Sequence, residues 1–187
     1  MRGDQTNTGS GARDALVAEL RRLEDELQRA QADLLALGGA NLPGLHLVID
    51  AGGARGLLPT ARVSEVVRLV ATTPLAGAPP HVIGTFVCRG APVLAVDLAA
   101  VLGIRREAPI DSQIVILAGT PRVGLVVDRI ERLIDGPRVF AGEAAGRTHE
   151  AWRGAAGLVT GLCVDGADVL PVVDTTPILA GLPERSA

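Results

Sequence analysis

The chain has 187 residues, 48% hydrophobic, 21% charged and only 2% aromatic, which suits one domain, or two small ones packed tightly, around a real apolar core. Its 18 basic residues are all arginine and stand against 21 acidic ones, a net charge of −3, with no tyrosine, two phenylalanines and one tryptophan. This composition offers neither a basic field for a phosphate backbone nor an aromatic platform for bases, and no apolar run approaches the roughly 20 residues of a membrane span, so nucleic acid and membrane insertion are not expected partners.

Residues 1–12 are polar and glycine-rich, a tail without an apolar core for a secretory signal, which predicts a cytoplasmic protein. Over 13–38 the residues Leu16, Leu20, Leu23, Leu27, Ala30, Leu34 and Leu37 recur at alternating spacings of four and three. That is the 3.5-residue period of an amphipathic coiled-coil helix. The positions flanking the seam hold Glu19, Glu26 and Asp33 on one side and Val17, Glu24 and Gln31 on the other, acidic or neutral throughout. This helix is therefore expected to prefer a partner helix with basic flanks, or to dock on the rest of its own chain, over pairing with itself. Gly38, Gly39, Asn41, Pro43 and Gly44 end it in a linker over 39–44.

From 45 to 181 the chain reads as short runs of Val, Leu and Ile broken by Gly and Pro, with brief helical turns only at 98–103 and 176–181; residues 182–187 form a second tail. Many short strands without long intervening helices predict a mainly β fold, an antiparallel barrel or sandwich. The segment from Gly90 to Asp97 is echoed from Gly166 to Asp174, and Gly56-Leu57-Leu58 with the run after it is echoed from Gly124. Two similar halves of about 65 to 75 residues predict two small barrels packed on one another, since neither is large enough to be stable alone.

The chemistry-bearing residues are sparse. Cys88 and Cys163 lack a CxxC spacing or a neighbouring histidine and read as small buried hydrophobes; His46, His81 and His149 are scattered and read as exposed or capping residues. Asp97, Asp128 and Asp174 each end an apolar run, where turns begin, and could serve as an acid–base pair only if two of them converged. Trp152 stands in a polar stretch as a cap over a barrel end or an interface anchor. No nucleotide, metal or nucleophile motif is present, so no cofactor is expected.

The run Gly84-Thr85-Phe86-Val87-Cys88-Arg89-Gly90-Ala91-Pro92-Val93-Leu94-Ala95-Val96-Asp97-Leu98 has Val63-Ser64-Glu65-Val66 upstream and Val123-Gly124-Leu125-Val126-Val127-Asp128 downstream, with a proline-rich stretch over 73–80 between. In that order it resembles the CheW family of chemotaxis coupling proteins, from about Leu45 to Gly181. The resemblance implies two pseudo-symmetric, intertwined five-stranded barrels like Src-homology-3 domains, no catalysis, and two partners: the cytoplasmic helical tip of a chemoreceptor and the regulatory domain of a CheA-type histidine kinase. It places the receptor helix in a groove between the barrels. The positions it marks are Val63, Glu65, Gly84, Arg89, Gly90 and Gly124, with Glu65 and Arg89 able to form an ion pair beside the groove. The family's Asn-Leu before Arg-Gly is Val87-Cys88 here, and its proline in the next strand aligns with Ala95, Pro171 keeping it in the second copy. Arg89 could be a recognition residue or a structural partner of Glu65. The glycines could admit a partner helix or mark bulges and corners. Two further functions stay open: coupling, or acting as a decoy, in motility, development or transcription, and a small hydrolase using Asp97 and Asp174.

Overall fold

The computed structural model of the chain describes residues 13, 16–26, 39–140, 148–166 and 168–181. Residues 16–26 form helix α1; Leu27, Ala30, Leu34 and Leu37 of the expected seam lie outside the described residues. The rest is β1 (Ala40–Asn41), β2 (Leu45–Ala51), β3 (Ala54–Pro59), β4 (Val63–Arg68), β5 (Val82–Cys88), β6 (Ala91–Asp97), α2 (Leu98–Val101), β7 (Gln113–Leu117), β8 (Val123–Val127), β9 (Arg129–Asp135), β10 (Arg138–Phe140), α3 (Glu150–Gly154), β11 (Val159–Asp165), β12 (Asp168–Val173) and α4 (Thr176–Ala180). Among the described residues, no helix is long and apolar enough to cross a membrane.

The strands form two sheets, ordered β1-β10-β11-β12-β3-β2-β9 and β4-β7-β8-β6-β5. The order β9-β2-β3-β12-β11 in the first matches β4-β7-β8-β6-β5 in the second, strand for strand. Each sheet thus takes a hairpin from the other half of the chain: β2–β3 pairs with β9 and β12, β7–β8 with β4 and β6. The pseudo-symmetry read from the repeats is present, and the first sheet carries two strands more than the expected five because β10 and β1 extend its edge.

Side-chain alternation then divides the interior in three. On β6 to β8, Val96, Val115, Val123 and Leu125 face a large cluster between the sheets, together with Leu47, Ile49 and Leu58 of the first sheet. Val93, Ala95, Ile114, Ile116 and Val126 turn the other way into a cluster of the second sheet alone, and Val48, Leu57, Leu170 and Val172 do the same in the first. Strands buried on both faces read as unbroken apolar runs.

The repeat is offset by one residue from its reading in the sequence. The turn between β5 and β6 is closed by Cys88 opposite Ala91 and that between β11 and β12 by Asp165 opposite Asp168, so Arg89, not Gly90, occupies the place of Gly166. From there to Asp97 and Asp174 the copies match without an insertion, and Pro171 corresponds to Leu94 rather than Ala95. Gly56 and Gly124 likewise differ: Gly56 lies under Trp152, which belongs to the shared core, while Gly124 faces Ile114 in the second sheet's own cluster. A shift of one residue exchanges the faces of a strand.

Candidate functional site: a cleft between two sheet edges

Strands β4 and β5 are the two edges of the second sheet, and they approach each other around an open apolar cleft. Its volume is about 570 Å³, and Val67, Val70, Ala71, Phe86, Val87, Cys88 and Pro92 are among the residues that line it. The rim exposes large side chains: Val87 is 73% exposed and Val70 45%.

Each end of the cleft is tied. At one end Thr73 pairs with Thr85 through two backbone hydrogen bonds of 2.7 and 2.8 Å. Gly84 is required there: a Cβ on it would overlap the carbonyl oxygen of Thr73, and its φ of +141° is open chiefly to glycine. At the other end Glu65 of β4 accepts from the Nε of Arg89 at 2.7 Å and from Nη2 of Arg122 at 2.7 Å. Arg122 also donates to the Cys88 carbonyl at 3.1 Å, and the Cys88 thiol to Glu65 at 3.6 Å. The hydrogen bond and charge of Arg89 hold the Glu65 carboxyl below its ordinary range. Arg89 and Gly90 form a two-residue turn with φ of +50° and +77°, the mirror-image turn that suits a hairpin and is strained for a side chain such as Arg. That strain and the bond to Glu65 fix where the guanidinium emerges, with its side chain 79% exposed.

The edge of β5 facing the cleft is also open in its backbone. Val87 lies opposite Pro92, which has no N–H to give, so the pair is of the non-hydrogen-bonded kind and the N–H and C=O of Val87 point away from β6. Thr85 has the same orientation and is satisfied by Thr73.

Of the six positions marked in the sequence, Glu65, Arg89 and Gly90 meet at one end of this cleft and Gly84 sits at the other. Val63 opens β4 at a register shift and packs against the shared core. Gly124 is buried, and a Cβ on it would lie 2.5 Å from Ile114 and 3.3 Å from Val93. It is enclosed by the chain's own packing. Arg122 was not legible, because a single arginine between Pro121 and Val123 carries no motif.

Cys163 as a buried residue and His149 as a cap are as expected, while Cys88, His46 and the paired aspartates differ from their sequence readings. Cys88 is half-buried and wired to Glu65 instead of being a core hydrophobe; Cys163 is buried, and desolvation pushes its thiol up to about 11. His46 is buried, its Nδ1 within 3.0 Å of the Gly44 carbonyl, while His149 caps α3 by accepting from the Ala151 N–H. The aspartates that converge are Asp97 and Asp128, both on Arg106 at 3.2 and 2.6 Å. Asp97 also caps α2 through the Ala99 N–H, and Asp174 accepts from the Thr176 N–H at the start of α4. The pair named for a hydrolase is thus committed to two separate helix starts, and the Thr176 hydrogen bonds keep the Asp174 carboxyl low.

The profile of the CheW-like domain matches residues 46–182. Among solved structures the chain is similar to the scaffolding protein TtCheW from Thermoanaerobacter tengcongensis, with a TM-score of 0.60 and 22% identity over 71% of this chain and 90% of that one. The comparison with curated proteins returned no match. With its two hairpin-exchanged sheets and the matched profile covering most of its length, the chain belongs to the CheW-like domain family of non-enzymatic scaffolds.

Proposed function

We propose that the chain is an adaptor that couples the helical tip of a chemoreceptor to the regulatory domain of a CheA-type histidine kinase, working in the cytoplasm by geometry alone. The observation that carries this reading is the β4–β5 cleft: an exposed apolar groove beside an unpaired strand edge, with an arginine held at its mouth by a half-buried carboxylate. Such a site takes an apolar segment of another protein and sets its register by charge. Glu65 and Arg89 act as a unit, Glu65 orienting the guanidinium and Arg89 presenting it. The family membership supplies the partner class, and Gly84 and Gly90 frame the same region.

The test is titration calorimetry of the full-length chain with a purified kinase regulatory domain and, separately, with a receptor-tip fragment. Micromolar binding of both, with simultaneous occupancy, is expected. Val87→Asp and Arg89→Glu should each weaken at least one partner by ten-fold or more while leaving the circular dichroism spectrum unchanged. Full affinity for both partners in both variants would refute the placement of the site, and no affinity of the parent chain for either partner would refute the coupling reading itself.

A further inference from the structure

Helix α1 carries an apolar stripe that no described residue covers. Leu16 is 72% exposed, Leu20 57% and Leu23 53%, although these are the residues that the 3.5-residue period puts on one line, and the flanking Val17 beside them is 43% exposed. Solvent-exposed leucines in register along a helix form the kind of seam on which a second helix packs.

The charges beside that stripe say what the other member is. Glu19 precedes the Leu20 seam position and Glu24 follows the Leu23 one, so they stand on opposite flanks of the stripe. Glu26, on the same flank as Glu19, is paired within the helix with Arg22 at 3.3 Å. Arg21, Arg22 and Asp25 occupy the outer face. A second copy of the chain in parallel register would set Glu19 against Glu24 twice over, and an antiparallel copy would again bring acidic flanks together. A helix with lysine or arginine at both flanking positions meets Glu19 and Glu24 with opposite charge and covers the same leucines. We infer that α1 is a docking helix for a different protein, one that presents a leucine-seamed helix with basic flanks. This stands apart from the cleft and from the coupling reading, since it uses no residue of either sheet.

The test uses the full-length chain and two three-heptad peptides with leucine at both seam positions, one with lysine and the other with glutamate at both flanks, followed by fluorescence anisotropy. The lysine peptide is expected to bind about ten-fold or more tighter than the glutamate peptide. Leu20→Ser/Leu23→Ser keeps every charge and should abolish binding, which separates a seam from mere attraction between opposite charges. Glu19→Lys/Glu24→Lys should reverse the preference between peptides. Sedimentation velocity should show the parent chain monomeric at micromolar concentration. Equal affinity for both peptides, binding that survives loss of the two leucines, a tight symmetric dimer, or no binding of either peptide would each overturn the inference.

Discussion

Gly124 separates a glycine kept for packing from one kept for a partner. It lies on β8, hydrogen-bonded on both sides by β6 and β7, so its backbone cannot step aside. A Cβ there would sit 2.5 Å from Cγ2 of Ile114, a fully buried residue, and 3.3 Å from Cγ1 of Val93. Carbon atoms rest at about 3.5–4.0 Å, so Gly124→Ala forces roughly 1 Å of displacement on a side chain with no exit to solvent. Overpacking of this kind costs about 1–3 kcal/mol, which for a chain of this size lowers Tm by about 2–12 °C. Ile114→Ala alone opens a cavity and should also destabilise, by about 2–5 kcal/mol, but the double variant puts the new methyl group into the vacated space. The two losses should therefore fall short of additivity by about 0.5–3 kcal/mol. Urea unfolding of the four proteins, followed by circular dichroism, measures the cycle. Unchanged stability of Gly124→Ala, accompanied by lost binding of a kinase or receptor fragment, would refute the packing role and return this glycine to the partner surface.

Trp152 is fully buried between Gly56 and Val173, so Trp152→Ala should lose about 3–5 kcal/mol by urea unfolding; Trp152→Phe should lose less than half of that, because the indole N–H finds no acceptor among the described residues. Glu65 has its folded-state pKa depressed, chiefly by the Arg89 hydrogen bond, so its contribution is complete above the ordinary carboxylate range and is lost as pH falls through the lowered value. Tm against pH from 7 to 2.5 should accordingly drop less steeply in acid for Glu65→Gln than for the parent chain, and parallel curves would show that the carboxylate is not engaged. One thiol per folded chain should react with a disulfide reagent at pH 8, and Cys88→Ser should remove it, because Cys163 is 2% exposed with its thiol pushed up to about 11. Two fast-reacting thiols in the parent would show that the Cys163 environment opens.

Much of the fold was legible because the hairpins carry their own signals. The glycine-marked turns, the short helical stretches after Asp97 and Asp174 and the repetition of the whole unit gave the strand content, the two halves and their pseudo-symmetry. The one-residue error in the repeat has a plain cause: Gly90 and Gly166 look alike as letters but are the second and first residues of their turns, and only backbone pairing distinguishes them. The exchange of hairpins was not readable from composition either, because a buried strand offers the same unbroken Val-Leu-Ile run whichever half it pairs with; it entered through the family resemblance. At the site, Glu65 and Arg89, 24 positions apart, entered as a pair through the family resemblance, whereas Arg122 and the valines of the rim were not legible. Val70 and Val87 are indistinguishable in sequence from core valines, and they become a surface feature only when two sheet edges fail to close.

That failure to close is where the two halves of the fold stop being equivalent. Thr85 of β5 corresponds to Leu162 of β11, and both pair outward, with Thr73 and Phe140 respectively. In the first sheet the covering strand continues: Val139 pairs with Cys163, and β1 then lies on β10. In the second sheet the chain runs from β4 through Val70 and meets β5 only at Thr73, so among the described residues the positions of β5 equivalent to the covered stretch of β11 carry no such strand. The same edge that is sealed in one half is open in the other, and the open one is flanked by the half-buried carboxylate and the exposed arginine. Two hairpin exchanges and a common core bind the sheets to each other, so the proposed partner, seated on the open edge of the second sheet, would meet a body braced by the first. A scaffold needs that combination: a surface able to accept another chain, carried on a frame that does not yield when it does.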